Sequence, residues 1–115
     1  MILSVWDRFT RPAAFAPDVV VPIDDWVEKK IDGCLCHVSQ FYEWLAYIEG
    51  WADVNAAPGF EEKTALLRRR LRDRFAQEAR ACGEQLPEGV CYAESFEWNE
   101  YGAPLSDALR RAMTD

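Results

Sequence analysis

Asp24-Asp25-Trp26-Val27-Glu28-Lys29-Lys30-Ile31-Asp32-Gly33-Cys34-Leu35-Cys36-His37-Val38-Ser39-Gln40-Phe41-Tyr42-Glu43-Trp44-Leu45-Ala46-Tyr47-Ile48-Glu49-Gly50 is the stretch on which the fold turns. Within it Val27, Ile31, Cys34, Val38, Phe41 or Tyr42, Leu45 and Ile48 recur at three- and four-residue steps, which places them on one face of a helix. Asp25 precedes Glu28 by three positions, the spacing of a capping box that satisfies the orphan amides of a first helical turn. Gly50 is the natural end of the helix.

Downstream, Asn55-Ala56-Ala57-Pro58-Gly59 reads as a loop, and a second helix is expected to start near Phe60. Its apolar stripe is Phe60, Leu67, Leu71, Phe75, Ala79 and Cys82; acids fill its first turn, arginines follow, and Gly83 is the expected stop. Val90 to Trp98 has strand-like composition with partial alternation, Asn99-Glu100-Tyr101-Gly102 reads as a turn, and Ser106 or Asp107 caps a short terminal helix through Met113. Upstream, Ile2 to Phe9 reads as a short strand and Arg11 to Pro17 as a loop, and the β-branched run Val19-Val20-Val21 is an extended piece stopped by Pro22. The expected class is α/β: two long helices, a few short strands and a short terminal helix, in one domain or domain fragment over residues 1–115. So few strands do not make a self-contained parallel sheet, because every parallel crossover needs its own strand partners. Either further chain is missing or the strands pair among themselves. Five tryptophans (Trp6, Trp26, Trp44, Trp51 and Trp98) sharpen the question, since such bulk is hard to cover in a two-helix core.

A chain of 115 residues, 50% of them hydrophobic, is long enough to bury about two thirds of the surface its unfolded form exposes. Thirteen basic against 20 acidic residues leave a net charge of -7, which repels nucleic acid and anionic membranes alike. The start, Met1-Ile2-Leu3-Ser4-Val5-Trp6-Asp7-Arg8, has neither a basic leader region nor a sustained apolar run, so a soluble, cytoplasmic protein is expected. In that reducing setting Cys34, Cys36, Cys82 and Cys91 are expected to be free, packed thiols.

Chemistry-bearing residues are scarce. His37 is the only histidine, whereas a catalytic zinc commonly takes three protein ligands with two or more imidazoles among them. Cys34 and His37 share a helical face, but Cys36 points away from Cys34 and no second Cys/His cluster completes a site. Ser39 lacks the strand-turn-helix elbow of a hydrolase nucleophile, and the scattered glycines form no phosphate loop. The run Arg68-Arg69-Arg70, with Arg72 and Arg74, reads as a solvated face, with a partner-facing patch as the alternative. What remains is His37-Val38-Ser39-Gln40, with Lys30 two turns earlier; on helical geometry Lys30, Cys34, His37 and Phe41 fall on one line. His37, Ser39 and Gln40 on an otherwise apolar face are expected to meet polar groups of a facing element.

These residues carry a resemblance. Phe15-Ala16-Pro17-Asp18-Val19-Val20-Val21-Pro22-Ile23-Asp24-Asp25, then Lys30, Gly33, Cys34 and His37-Val38-Ser39-Gln40, and finally Tyr92-Ala93-Glu94-Ser95-Phe96, resemble the C-terminal part of PIG-L/LmbE-type zinc deacetylases. The resemblance implies the C-terminal portion of a Rossmann-like α/β fold. It also implies a family activity, zinc-dependent removal of acetyl groups from N-acetylglucosamine-type or related amides through a zinc-bound water. In that family the zinc ligands come from a His-Pro-Asp-Asp loop and a later histidine, both upstream of the matched region; this chain contains neither. On this reading no residue here is catalytic or binds zinc, zinc is a cofactor of the family and not of this chain alone, and the partner is a missing N-terminal catalytic half or a second copy. Lys30, His37, Ser39, Gln40 and Glu94 are then the cleft-bracing or substrate-side candidates. Two other readings stand beside it: a non-enzymatic binding or protein-interaction module, and a small cysteine-based zinc module.

Overall fold

The computed structural model describes residues 3–5, 10, 13–99 and 101–114. Trp6, most of the expected Ile2–Phe9 strand, Arg11, Pro12 and the turn residue Glu100 lie outside them. The chain divides into two compact units, one of Met1–Asp24 with Phe75–Asp115 and the other of Asp25–Arg74.

The first unit mixes strand and helix. Strand β1 (Leu3–Val5), β2 (Val19–Pro22) and β3 (Ala93–Trp98) form one sheet in the order β1-β3-β2. Both pairings are antiparallel, with Val5 opposite Phe96 and Val20 opposite Ser95, so the strands do pair among themselves. Pro22 is tolerated because it ends an edge strand, where a missing amide breaks no central ladder. Two aspartates bracket the β2–β3 ladder: Asp18 Oδ2 accepts the Trp98 amide at 2.8 Å, and the Asp24 carboxylate accepts the amides of Cys91 and Tyr92 at 2.9 and 3.3 Å. Before β3 the chain turns at Pro87–Val90, where Gly89 supplies a φ of 89° that a side chain resists. Helix α5 (Asp107–Thr114) is capped by Ser106, whose Oγ accepts the Leu109 amide at 3.2 Å, and Arg110 donates to the Asp18 carbonyl beside β2.

Helix α4 (Phe60–Ala81) gives its last residues to this unit. Ala79 and Cys82 pack with Val20 and Ala93, and Leu86 packs against that cluster. Glu78 lies among them, 5% exposed, and its Oε1 accepts both the Ser95 amide at 2.5 Å and the Ser95 hydroxyl at 2.7 Å. Fully buried Ser95 thus has its polar atoms answered by a helix carboxylate. Burial raises the pKa of the Cys82 thiol; a hydrogen bond with Ser95 opposes the rise and the charge of Glu78 adds to it.

The second unit departs from the expected single helix. Helix α1 (Val27–Leu35) ends early, a π-helical segment (Ser39–Trp44) follows, and α2 (Leu45–Ile48) is one turn long. The buried residues are Val27, Ile31, Leu35, Tyr42 and Ala46, while Val38 and Ile48 of the expected stripe are 43% and 52% exposed. The wider π turn rotates everything beyond it relative to α1, so a strict three-four period misassigns the face. The expected Asp25–Glu28 capping box does not form: Trp26 occupies the N-cap without a side-chain bond. The helix does stop at Gly50, which at φ 65° closes a Schellman motif: the Trp51 amide reaches the Ala46 carbonyl at 3.0 Å and the Gly50 amide that of Tyr47 at 3.2 Å.

Helix α3 (Ala52–Ala56) follows, and its Asn55 Nδ2 adds a second bond to the Ala46 carbonyl at 2.9 Å. Helix α4 begins at Phe60 as expected, with Leu67 and Leu71 buried; Phe60 itself is exposed and stacks on Tyr42 at 4.6 Å between ring centroids. Because the Thr64 hydroxyl donates to the Phe60 carbonyl, Tyr42 is the donor in its 2.8 Å bond to Thr64. Arginines of the expected solvated face stay partly exposed and are paired within the unit. Arg72 grips Glu28 through two bonds of 2.6 and 2.8 Å, Arg68 bonds Glu28 and Asp32, and Arg70 bonds Asp53 at 2.5 Å while lying over Trp51. No helix among the described residues is long and apolar enough to cross a membrane.

Two stability measurements follow from these contacts. Glu78→Ala leaves the buried Ser95 donors without an acceptor and is expected to cost about 2 kcal/mol in urea unfolding. Glu78→Gln, which keeps a carbonyl acceptor, is expected to cost clearly less; equal losses would show that the acceptor is not what matters. The Arg72 hydrogen bond, against an opposing effect of burial, holds the Glu28 pKa below its ordinary 4.5, and the Arg70 hydrogen bond holds Asp53 below 3.8. Both contributions are therefore complete above those ordinary values and disappear as pH falls through the lower folded-state values. The unfolding midpoint is expected to drop across that acidic window, and less steeply in Glu28→Gln.

Candidate functional site

The break between α1 and the π-helical segment holds three of the five candidate residues. Gly33 lies in the last turns of α1, the Cys36 amide still bonds back to Asp32 and Gly33, and His37 sits outside regular helix. From there the Phe41 amide returns to the His37 carbonyl at 3.0 Å, and the backbone widens into the π turn that begins at Ser39. Single π turns within helices recur at functional positions because they re-aim side chains that an α-helix would hold in register.

His37, Ser39 and Gln40 are all exposed, and among the described residues none of their side chains forms a hydrogen bond. The facing polar element expected for them is therefore not supplied by the described part of this chain, whose helix opens these groups to water. Lys30 lies half-buried on α1 and has an interaction partner; its expected line through Cys34, His37 and Phe41 is interrupted where α1 ends at Leu35. Glu94 lies in the other unit, on β3 opposite Val21, half-buried and likewise engaged. The structure thus gathers His37, Ser39 and Gln40 locally, while Glu94 belongs to the other unit.

The cysteines are all free: Cys82 is buried, Cys34 is half-buried, and Cys36 and Cys91 are exposed, so two of the four are not the packed thiols expected. Among the described residues no group of three or more His, Cys, Asp or Glu side chains is gathered to hold a metal ion. The Cys34-Leu35-Cys36-His37 element does not fit a closed zinc site: its second cysteine and its histidine face solvent, and among the described residues no further ligand converges on them. A shallow groove of about 470 Å³ runs along Asp53, Ala56, Ala57, Pro58, Glu62, Ala65 and Leu66, and none of the five candidates lines it.

Sequence reasoning missed a second surface next to the first. Trp44, Tyr47 and Ile48 are 54%, 80% and 52% exposed. The signal was present, for Phe41-Tyr42-Glu43-Trp44-Leu45-Ala46-Tyr47-Ile48 carries more apolar residues than one buried helical face accommodates. Glu78 was missed as well; it occupies the stripe of Phe75, Ala79 and Cys82, and an acid in such a position marks a buried, hydrogen-bonded carboxylate.

Elemental analysis of the purified chain is expected to find zinc well below one atom per molecule, unchanged in Cys34→Ser and Cys36→Ser. One zinc per chain, lost in either variant, would establish the cysteine-based module instead. Comparison of the chain with protein-family models, curated proteins and solved structures returns no match.

Proposed function

We propose that the chain is the C-terminal segment of a PIG-L/LmbE-like zinc-dependent deacetylase acting on N-acetylglucosamine-type or related amides, and that it works only together with a catalytic half carried elsewhere. The observation that carries the reading is His37-Val38-Ser39-Gln40, an element with the family's pattern whose polar side chains stand exposed where α1 gives way to the π turn. Polar groups so presented are available to line a cleft that another polypeptide completes. The single histidine of the chain agrees with this division, since the hydrolytic centre then belongs to the partner.

A Rossmann-like core needs parallel strands, whereas the three strands described here are antiparallel. On this reading the parallel sheet belongs to the catalytic half and the present sheet is peripheral to it. Lys30, His37, Ser39, Gln40 and Glu94 brace the cleft or meet the substrate, and the setting is the cytoplasm.

The test is reconstitution. A reading frame encoding His-Pro-Asp-Asp immediately upstream of the Met1 codon would supply the catalytic half, and acetate release from an N-acetylglucosamine-type amide is measured for each half and for the two co-expressed. Activity is expected only from the pair, and His37→Ala or Gln40→Ala is expected to lower it about tenfold to a hundredfold through misplacement of the substrate. Strong hydrolysis by the pure chain alone, or a reconstituted pair indifferent to both substitutions, counts against the reading.

A further inference from the structure

We infer that the exposed face of Trp44, Tyr47 and Ile48 docks a protein surface that is apolar at its centre and basic at its rim. Trp44, Tyr47 and Ile48 stand three and four residues apart across the junction of the π segment and α2, so they share one helical side. The opposite side of the same segment already buries Tyr42 and Ala46, with Phe41 and Leu45 half-buried, so the exposed residues are surplus to this unit's core. A tryptophan and a tyrosine adjacent on a surface are the side chains that most often anchor protein interfaces.

Charge selects the kind of partner. From Cys36 to Gly59 there is no lysine or arginine, and the acids are Glu43, Glu49 and Asp53. Asp53 is held by Arg70; Glu43 and Glu49 are exposed and form no ion pair among the described residues. Glu43 directly precedes Trp44 and Glu49 directly follows Ile48, so a carboxylate stands at each end of the apolar residues. A second copy of the chain would bring like charges together, and an anionic bilayer is repelled in the same way. A partner with lysines or arginines flanking an apolar ridge satisfies both the aromatic anchors and the two carboxylates. None of this depends on the deacetylase reading, and the surface stands or falls without it.

Two fluorescently labelled helical peptides test it against the full chain: one amphipathic sequence of leucine and lysine, and its counterpart with glutamate for every lysine. Anisotropy titration is expected to show the lysine peptide binding at least about tenfold tighter, with salt weakening it. The double variant Trp44→Ser with Tyr47→Ser is expected to reduce that binding by about tenfold or more, while circular dichroism and the unfolding midpoint report an intact fold. Glu43→Lys with Glu49→Lys, which leaves the aromatic residues in place, is expected to reverse the preference between the peptides. Equal binding of both peptides, or binding untouched by either double variant, overturns the inference. So does self-association, or adsorption to phosphatidylcholine vesicles, that the Trp44/Tyr47 variant abolishes.

Discussion

The middle strand of the small sheet has neighbours on both sides and needs acceptors for its amides beyond the reach of those neighbours. Carboxylates answer that need. Asp18 and Asp24, at the two ends of β2, take the amides of Trp98, Cys91 and Tyr92, and Glu78 reaches from α4 to take the amide and hydroxyl of Ser95. Strands of three, four and six residues bury little apolar surface by themselves. Helix α4 is what gives the sheet a core, by placing Ala79 and Cys82 against Val20 and Ala93, and Glu78 is the polar fastening inside that core. The same carboxylate lies against Cys82, whose thiol burial already keeps protonated at neutral pH. Cys82 is thus a packing residue and a poor nucleophile.

In the Asp25–Arg74 unit the corresponding constraint is a helix that does not stay helical in one period. The interruption after Leu35 and the π turn from Ser39 make two sets of residues out of one apolar run. One set, Val27, Ile31, Leu35, Tyr42 and Ala46, is buried; the other, Val38, Trp44, Tyr47 and Ile48, meets solvent. Arginines of α4 then tie the neighbouring elements in place through Glu28, Asp32 and Asp53, which gives much of the basic run partners within its own unit. Exposed ion pairs of this kind contribute little each to stability.

The same interruption sets the exposure of the polar residues around it. His37, Ser39 and Gln40 would be costly on a buried helix face and are inexpensive at an exposed break, where they remain available to something outside the chain. The aromatic face beside them is likewise turned outward. Both observations describe side chains directed away from the core of the unit that carries them.

How far the sequence went follows from which forces are local. The extents of α4, β2 and α5, the existence of β3 though not its start at Ala93, the stop at Gly50 and the cap at Ser106 were legible because turn chemistry, β-branching and apolar stripes act over a few neighbouring residues. The scarcity of zinc ligands was equally legible, being a matter of composition. The absent capping box, the π turn, the pairing of the arginines and the burial of Glu78 were decided by tertiary structure, because each depends on which distant group competes for the same donor or acceptor. Glu28 sits at capping distance from Asp25 in sequence, yet Arg72 takes both of its oxygens, and no local rule weighs a partner 44 residues away.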